Sequence, residues 1–186
     1  DRLLAMRTRL SAAYKGIHAL LMREGAKDFR SGQGYDLTVF FDEGVDIHHI
    51  FPQDWCESKK IDVKVYDTVI NKTPLSYRTN RIIGGVAPSK YLAKLELGAK
   101  NAEGQIVNPP IPAAVLDTYL TSHCISPAQI RADDFASFMK ERRKALLRLI
   151  ATATGHSVSE VEEGLEEGEE LSEEVARDSG LSLETA

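Results

Sequence analysis

The sequence predicts an α+β fold in which helices outweigh strands. Two observations carry this. Apolar residues recur at three- and four-residue spacing in several segments, the signature of helices with one buried face. After the first of these come two short runs rich in β-branched and aromatic residues, "LTVFF" (37–41) and "VDIH" (45–48), separated by "DEG". A chain of 186 residues with 42% hydrophobic and 27% charged content can bury one good core.

Leu3, Met6, Leu10, Tyr14, Ile17 and Leu21 form the first stripe, a helix expected to end near Gly25. "DFRSGQGYD" is loop-like through its glycines and serine, and the two strands follow it. "FPQDWCESKK" reads as a loop entering a short helix. Residues 65–85 give mixed signals, with a helical turn near Asp67. Pro88 suits the first position of a helix over "PSKYLAKLEL", which Gly98 stops. "NAEGQIVNPPIP" is expected to be a loop. Pro112 starts a helix over 112–123, and "SPAQIRADD" leads into a longer one. Phe135, Phe138, Leu146, Leu149 and Ile150 line one side of that helix, and Gly155 closes it.

Charge divides the chain in two. Residues 157–186 hold eleven acidic side chains and one basic one, Arg177, which leaves 17 acidic and 22 basic residues in 1–156. The expected organisation is a mildly basic domain over 1–156 and an acidic tail over 157–186. The tail reads as a solvated appendage, the sharper alternative being a segment that shields the basic body. Cys56 and Cys124 lack framework spacing and read as free thiols in a reducing cytoplasm. No apolar run is long enough for a bilayer, and no signal peptide opens the chain. The chain starts on Asp1 and enters a helical pattern at once, as expected of a piece of a longer protein.

The chemistry concentrates in "VDIHHIFPQDW" (45–55). On a strand, Asp46 and His48 share a face, and a carboxylate beside an imidazole can share a divalent cation. The neighbouring His49 can act as a base, because its ordinary pKa lies near neutrality. Pro52 ends the strand. A bare His-His pair at a strand end is also satisfied by backbone carbonyls. Downstream stand Asn71 in "VINKTPLS" and Asn80 in "YRTNRIIGG". Asparagine offers a neutral oxygen to a hard metal and an amide that can pin a loop. Singly each is a turn residue; jointly with the histidines they form a far more specific pattern.

"DIHHIFPQ" together with "NKTPLSYRTNR" resembles the HNH, or ββα-metal (His-Me finger), nuclease motif. More closely, the chain is similar to the C-terminal nuclease domain of GmrSD-type modification-dependent restriction endonucleases. The likeness extends to "GGVAPSKYLAKLE" and "SHCISPAQIRADDFASFMKERRKALLRLI", and so covers about residues 2–155. It implies a small ββα-metal core, within about 36–97, surrounded by several helices. It implies that His49 is the general base, that Asn71 braces the loop carrying it, and that His48 and Asn80 are metal ligands. Asp46 is a further ligand or a partner that orients His48. The last motif position is Asn80 where the family name has His, which favours Mg²⁺ or Mn²⁺. The stretch from His49 to Asn71 is longer than in compact members, so "CESKKIDVKVYDT" reads as an insertion.

Lys72, Arg78 and Arg81 flank the asparagines and are expected to contact the DNA backbone. The implied activity is hydrolysis of DNA phosphodiesters in bacterial defence against phage or foreign DNA, including DNA with modified bases. The implied partner is an N-terminal nucleotide-using domain of the same longer protein. The rivals are a catalytically silent DNA-binding or assembly module, and a nuclease for RNA or structured nucleic acid. His18 and His123 read as buried or capping, Trp55 as a core or loop anchor, and "ERRK" (141–144) as a solvated helix face. The glycines at 84–85 lack a phosphate-loop pattern, so no nucleotide site is expected there.

Overall fold

The computed structural model describes residues 3, 6, 7, 11–35, 45–159 and 161. The "LTVFF" strand and nearly all of the acidic tail lie outside them. The fold is α+β. The first helix, α1, spans Ala12–Arg23. The apolar stripe does begin earlier, since Leu3 and Met6 are buried, but Met6 and Arg7 lie outside any helix. Ser11 sets the start: its hydroxyl accepts the N–H of Tyr14 at 3.1 Å and so satisfies an amide with no partner inside the helix. Tyr14, Ile17, His18 and Leu21 are the buried face.

Strand β1 is Asp46–His49 and strand β2 is Lys72–Leu75. They pair antiparallel, with Asp46 opposite Leu75, His48 opposite Thr73 and His49 opposite Lys72. Pro74 obscures β2 in the sequence. A two-stranded ribbon tolerates it, because each strand has an outer edge where a missing N–H costs little. Between the strands lie α2 (Gln53–Ser58), α3 (Val63–Tyr66) and a 3₁₀ turn over Val69–Asn71. Helix α4 (Tyr77–Ile83) follows β2 directly. Its N-cap is Ser76, which accepts from the N–H of Thr79 at 3.2 Å. β1, β2 and α4 therefore make a ββα unit.

Helix α5 (Pro88–Leu97) starts on Pro88 and stops at Gly98, as expected. The segment expected as a loop instead forms a hairpin, β3 (Ala99–Lys100) with β4 (Ile106–Asn108). Asn101 closes it, its Oδ1 accepting the N–H of Gln105 at 2.8 Å, with Gly104 at φ +81° in the turn. Helices α6 (Ala113–Ser122), α7 (Pro127–Arg131) and α8 (Phe135–Thr154) complete the fold, and Gly155 ends α8 in the left-handed conformation.

The core runs between the ββα unit and α8. Phe51 sits at its centre, with ring centroids 5.0 Å from Trp55, 5.2 Å from Phe135 and 4.9 Å from Phe138. Packing continues past residue 156, since Val161 is buried and its N–H donates to the carbonyl of Ser157. The acidic segment thus has an apolar foothold on the body at its start. No helix among the described residues is long and apolar enough to cross a membrane.

Two buried polar groups bind the unit to its surroundings. Asp28 is 1% exposed. Its Oδ2 accepts the N–H of Ser76 at 3.0 Å, and its Oδ1 accepts the Thr79 hydroxyl at 2.7 Å and the N–H of Ser31 at 3.0 Å. This carboxylate fastens the 28–33 loop to the first turn of α4, where helix amides favour negative charge. Arg142, within "ERRK", is also 1% exposed, which corrects the expectation of a solvated face there. Its guanidinium donates to the carbonyls of Ile70, Lys72 (2.9 Å) and His123 (3.2 Å). Burial lowers its pKa to about 10, so it remains a cation at neutral pH.

Candidate functional site: a cleft at the end of the ribbon

Asn71 holds the local architecture together. It is fully buried, at the junction of the 3₁₀ turn and β2. Its Oδ1 accepts the N–H of Phe51 at 2.9 Å, and its Nδ2 donates to the carbonyls of Phe51 and Tyr66, both at 3.0 Å. Its main-chain carbonyl accepts the N–H of Ile50 at 2.8 Å. The side chain thus locks the chain that leaves His49 to the segment that enters β2. It acts as a loop brace and does not line the cleft.

The cleft itself has a volume of about 220 Å³ and is lined by His48, His49, Asn80, Asp54, Gly84 and Gly85, among others. β1 supplies the histidines. Both face the cleft because the strand ends at His49, where strict alternation lapses. Helix α4 supplies Asn80, and Ile83 and Gly84 share its face at helical spacing. Three of the four motif residues therefore meet at one opening, and the fourth fixes the loop beneath it.

Asp46 does not join them. It is exposed, and its Oδ1 accepts the adjacent N–H of Ile47 at 2.7 Å, which curls the carboxylate back along its own backbone. The acidic side chain in the cleft is Asp54, in the first turn of α2. Gly85 gives it room: a Cβ there would collide with the Asp54 carboxylate. Gly85 is therefore a structural answer to a close approach, whereas Gly84, around which a Cβ would find open space, is set by its backbone at φ +53° and ψ −150°, a region kept almost wholly for glycine.

Lys72 departs from its expected role. It is 4% exposed, its Nζ lies 2.6 Å from Asp67 Oδ1, and it sits 5.9 Å from the Tyr14 ring. A buried, ion-paired ammonium cannot track a DNA backbone, so the residue is a structural cation. Arg78 and Arg81 are exposed on α4, with Arg81 over the ring of Tyr77 at 5.7 Å.

Asp67 Oδ1 also lies 2.9 Å from His49 Nε2. Burial alone would raise the Asp67 pKa, but the bond and charge of Lys72, with those of His49, outweigh this and hold it below the ordinary carboxylate value. The sequence hinted at a helical turn near Asp67 and gave no sign of this pairing. The two residues are 18 positions apart, across α2 and α3.

Two further histidines, His123 and His18, are structural. His123 is buried, with Nδ1 2.6 Å from the Thr73 hydroxyl and Nε2 2.8 Å from the Lys27 carbonyl. Burial, with Arg142 nearby, lowers its pKa to about 4 and keeps it neutral, so Nε2–H donates and Nδ1 accepts. His18 is buried edge-on to Tyr14 at 4.7 Å. Cys56 and Cys124 are free thiols, and burial pushes Cys56 up to about 12, far from a reactive thiolate.

No family model matches the chain, and no solved structure does. Among curated proteins, the chain is similar to "Uncharacterized protein MJ0686" of Methanocaldococcus jannaschii, 33% identical over 101 residues. That segment is 53% of this chain and 17% of the archaeal protein, so the chain spans less than a fifth of that relative's length.

Proposed function

We propose that this chain is a metal-dependent DNA endonuclease unit of the HNH type, acting in the cytoplasm as the cutting part of a longer restriction protein. The observation that carries this reading is the meeting of His48, His49 and Asn80 in one cleft at the end of a ββα unit, above a loop braced by Asn71. The match to a relative several times longer is compatible with a separate nucleotide-using recognition domain.

The donor set fits a hard divalent cation. Among the described residues no group of three or more His, Cys, Asp or Glu is placed to hold one metal ion together. The amide oxygen of Asn80 suits Mg²⁺ or Mn²⁺, which keep several waters and accept phosphate oxygens as ligands. His48 and Asn80 would hold the ion, and it would offset charge on the phosphate oxygens. His49, as the neutral base, accepts a proton from water as the water oxygen attacks phosphorus. The bond from phosphorus to the 3′ oxygen breaks, and that oxygen takes a proton from solvent, leaving a 5′-phosphate and a 3′-hydroxyl. Arg78 and Arg81 lie on the exposed face of α4, where the phosphate backbone would pass.

The test is cleavage of supercoiled plasmid, with unmodified and modified bases, by the purified chain in Mg²⁺, Mn²⁺ or chelator. Conversion should require the divalent ion, and His49→Ala should lower it ~10²–10⁴-fold, the usual loss on removing a general base. Equal conversion by His49→Ala removes that residue from its role. Binding to DNA without cleavage under any condition indicates a silent module, and cleavage of RNA alone moves the substrate class.

A further inference from the structure

Resting on the nuclease reading above, we propose that Asp67 is the positioning residue for His49, and that buried Lys72 fixes Asp67 in turn. The geometry carries this. One oxygen, Asp67 Oδ1, meets His49 Nε2 at 2.9 Å and Lys72 Nζ at 2.6 Å. Tyr66 lies edge-on to the imidazole, with ring centroids 6.0 Å apart. All three partners hang on the same brace. Asn71 bonds the carbonyl of Tyr66, the residue before Asp67, and Lys72 is the residue after Asn71. The His49–Lys72 pairing of β1 with β2 sets the remaining side of the triangle.

The chemistry follows from which ring nitrogen carries the proton. A carboxylate can only accept, so Nε2 is the donor and the basic lone pair sits on Nδ1. Nδ1 then takes the proton from water as the oxygen–phosphorus bond forms and the bond to the 3′ oxygen breaks. The imidazolium that results lies against an anion. Lys72 keeps Asp67 ionised, so the carboxylate orients and stabilises the ring without itself accepting the proton. A base oriented by a third group is a recurring arrangement in nucleophile-activating sites. It also accounts for a lysine at 72 that is buried instead of reaching DNA.

The test uses the whole ¹⁵N-labelled chain and has two readouts. The first is metal-free NMR. An imidazole N–H bonded to a carboxylate exchanges slowly enough to be seen, and its loss in His49→Ala assigns it. It should be present in wild type and absent in Asp67→Ala. The second is plasmid cleavage. Asp67→Ala should lower kcat ~10–100-fold, the usual cost of losing a group that orients a functional histidine, while KM changes less than about 2-fold. Asp67→Asn keeps the shape and an accepting oxygen but no charge, so it serves as the folding control and should fall between the two. Persistence of the His49 signal in Asp67→Ala, or an unchanged kcat in either variant, overturns the assignment. A wild-type chain that shows the signal yet cuts no nucleic acid overturns the nuclease reading instead, and with it the catalytic meaning of the pair.

Discussion

Asn71 and Phe51 exchange two hydrogen bonds, side-chain amide to main chain, at 2.9 and 3.0 Å, in a fully buried setting. Phe51 is also the hub of the aromatic core, so the loop beneath the candidate base is fixed by the same residue that organises the packing.

Removing this amide should therefore cost stability as well as activity. Asn71→Ala strands the Phe51 N–H, removes a donor from the Tyr66 carbonyl and leaves the Phe51 carbonyl only the weak Cys56 thiol, and each unpaired buried group costs ~1–3 kcal/mol. Asn71→Asp should be at least as harmful near neutral pH, because a carboxylate would face the carbonyls of Phe51 and Tyr66 with nothing to donate. Urea denaturation of the three proteins checks the order, and an Asn71→Asp variant as stable as wild type would exclude the brace.

Asp28 makes the fold sensitive to acid. Burial alone would raise its pKa, but the Ser76, Thr79 and Ser31 donors outweigh this and hold it below 3.8. A folded-state pKa below the unfolded one stabilises the protein above the unfolded value. That stability is lost as pH falls through 3.8 toward the folded pKa. Asp67 acts in the same direction. Asp28→Ala should lower stability at pH 7 by at least ~1.5 kcal/mol, since it removes several bonds to an ionised group, and should flatten the dependence between about pH 5 and pH 2. Equilibrium unfolding across that range measures both.

The exposed arginines and the buried lysine should separate cleanly. Arg78→Ala and Arg81→Ala should each weaken DNA binding and reduce the slope of log affinity against log salt by up to ~0.9, with little change in thermal stability. Lys72→Met should do the reverse, lowering stability and leaving the salt slope unchanged. Fluorescence titrations at several salt concentrations, paired with melting curves, decide between them.

Gly85 and Asp54 form a steric pair. Gly85→Ala should displace the Asp54 carboxylate and alter cleavage, and should cost ~1–3 kcal/mol of stability, because the new Cβ also comes within 2.9 Å of Asp54 Cβ and the backbone must give. In an Asp54→Gly background, which removes the Asp54 Cβ as well as the carboxylate, the same substitution should have no further effect. Additive losses in the double mutant would mean that the two residues act independently.

Sequence patterns located the elements governed by local chemistry. Pro88 and Gly98 frame α5, Pro112 precedes α6, and Gly155 closes α8, because each acts through its own backbone. The four motif positions were also legible as a set, three in the cleft and one as its brace. What escaped depends on contacts that no local pattern encodes. β2 is hidden by Pro74 and recognisable only from its pairing with β1. Lys72 and Arg142 look like surface cations, and only partners 5 and 70 residues away reveal them as buried. Asp46 shares a strand face with His48 by alternation, yet it is absent from the cleft lining, and its Oδ1 accepts the N–H of Ile47. Asp67 gains its meaning only once the intervening helices fold it back onto His49.

The reach of Arg142 bears on when the protein becomes competent. The carbonyls it secures, at Ile70 and Lys72, straddle Asn71, yet the arginine follows them by some 70 residues. A nascent chain therefore exposes every motif residue well before the group that seats their loop has been synthesised. A prematurely terminated fragment would carry the complete motif without its clamp. The loop beneath the cleft is therefore fully seated only once α8, made some 70 residues later, has docked against it.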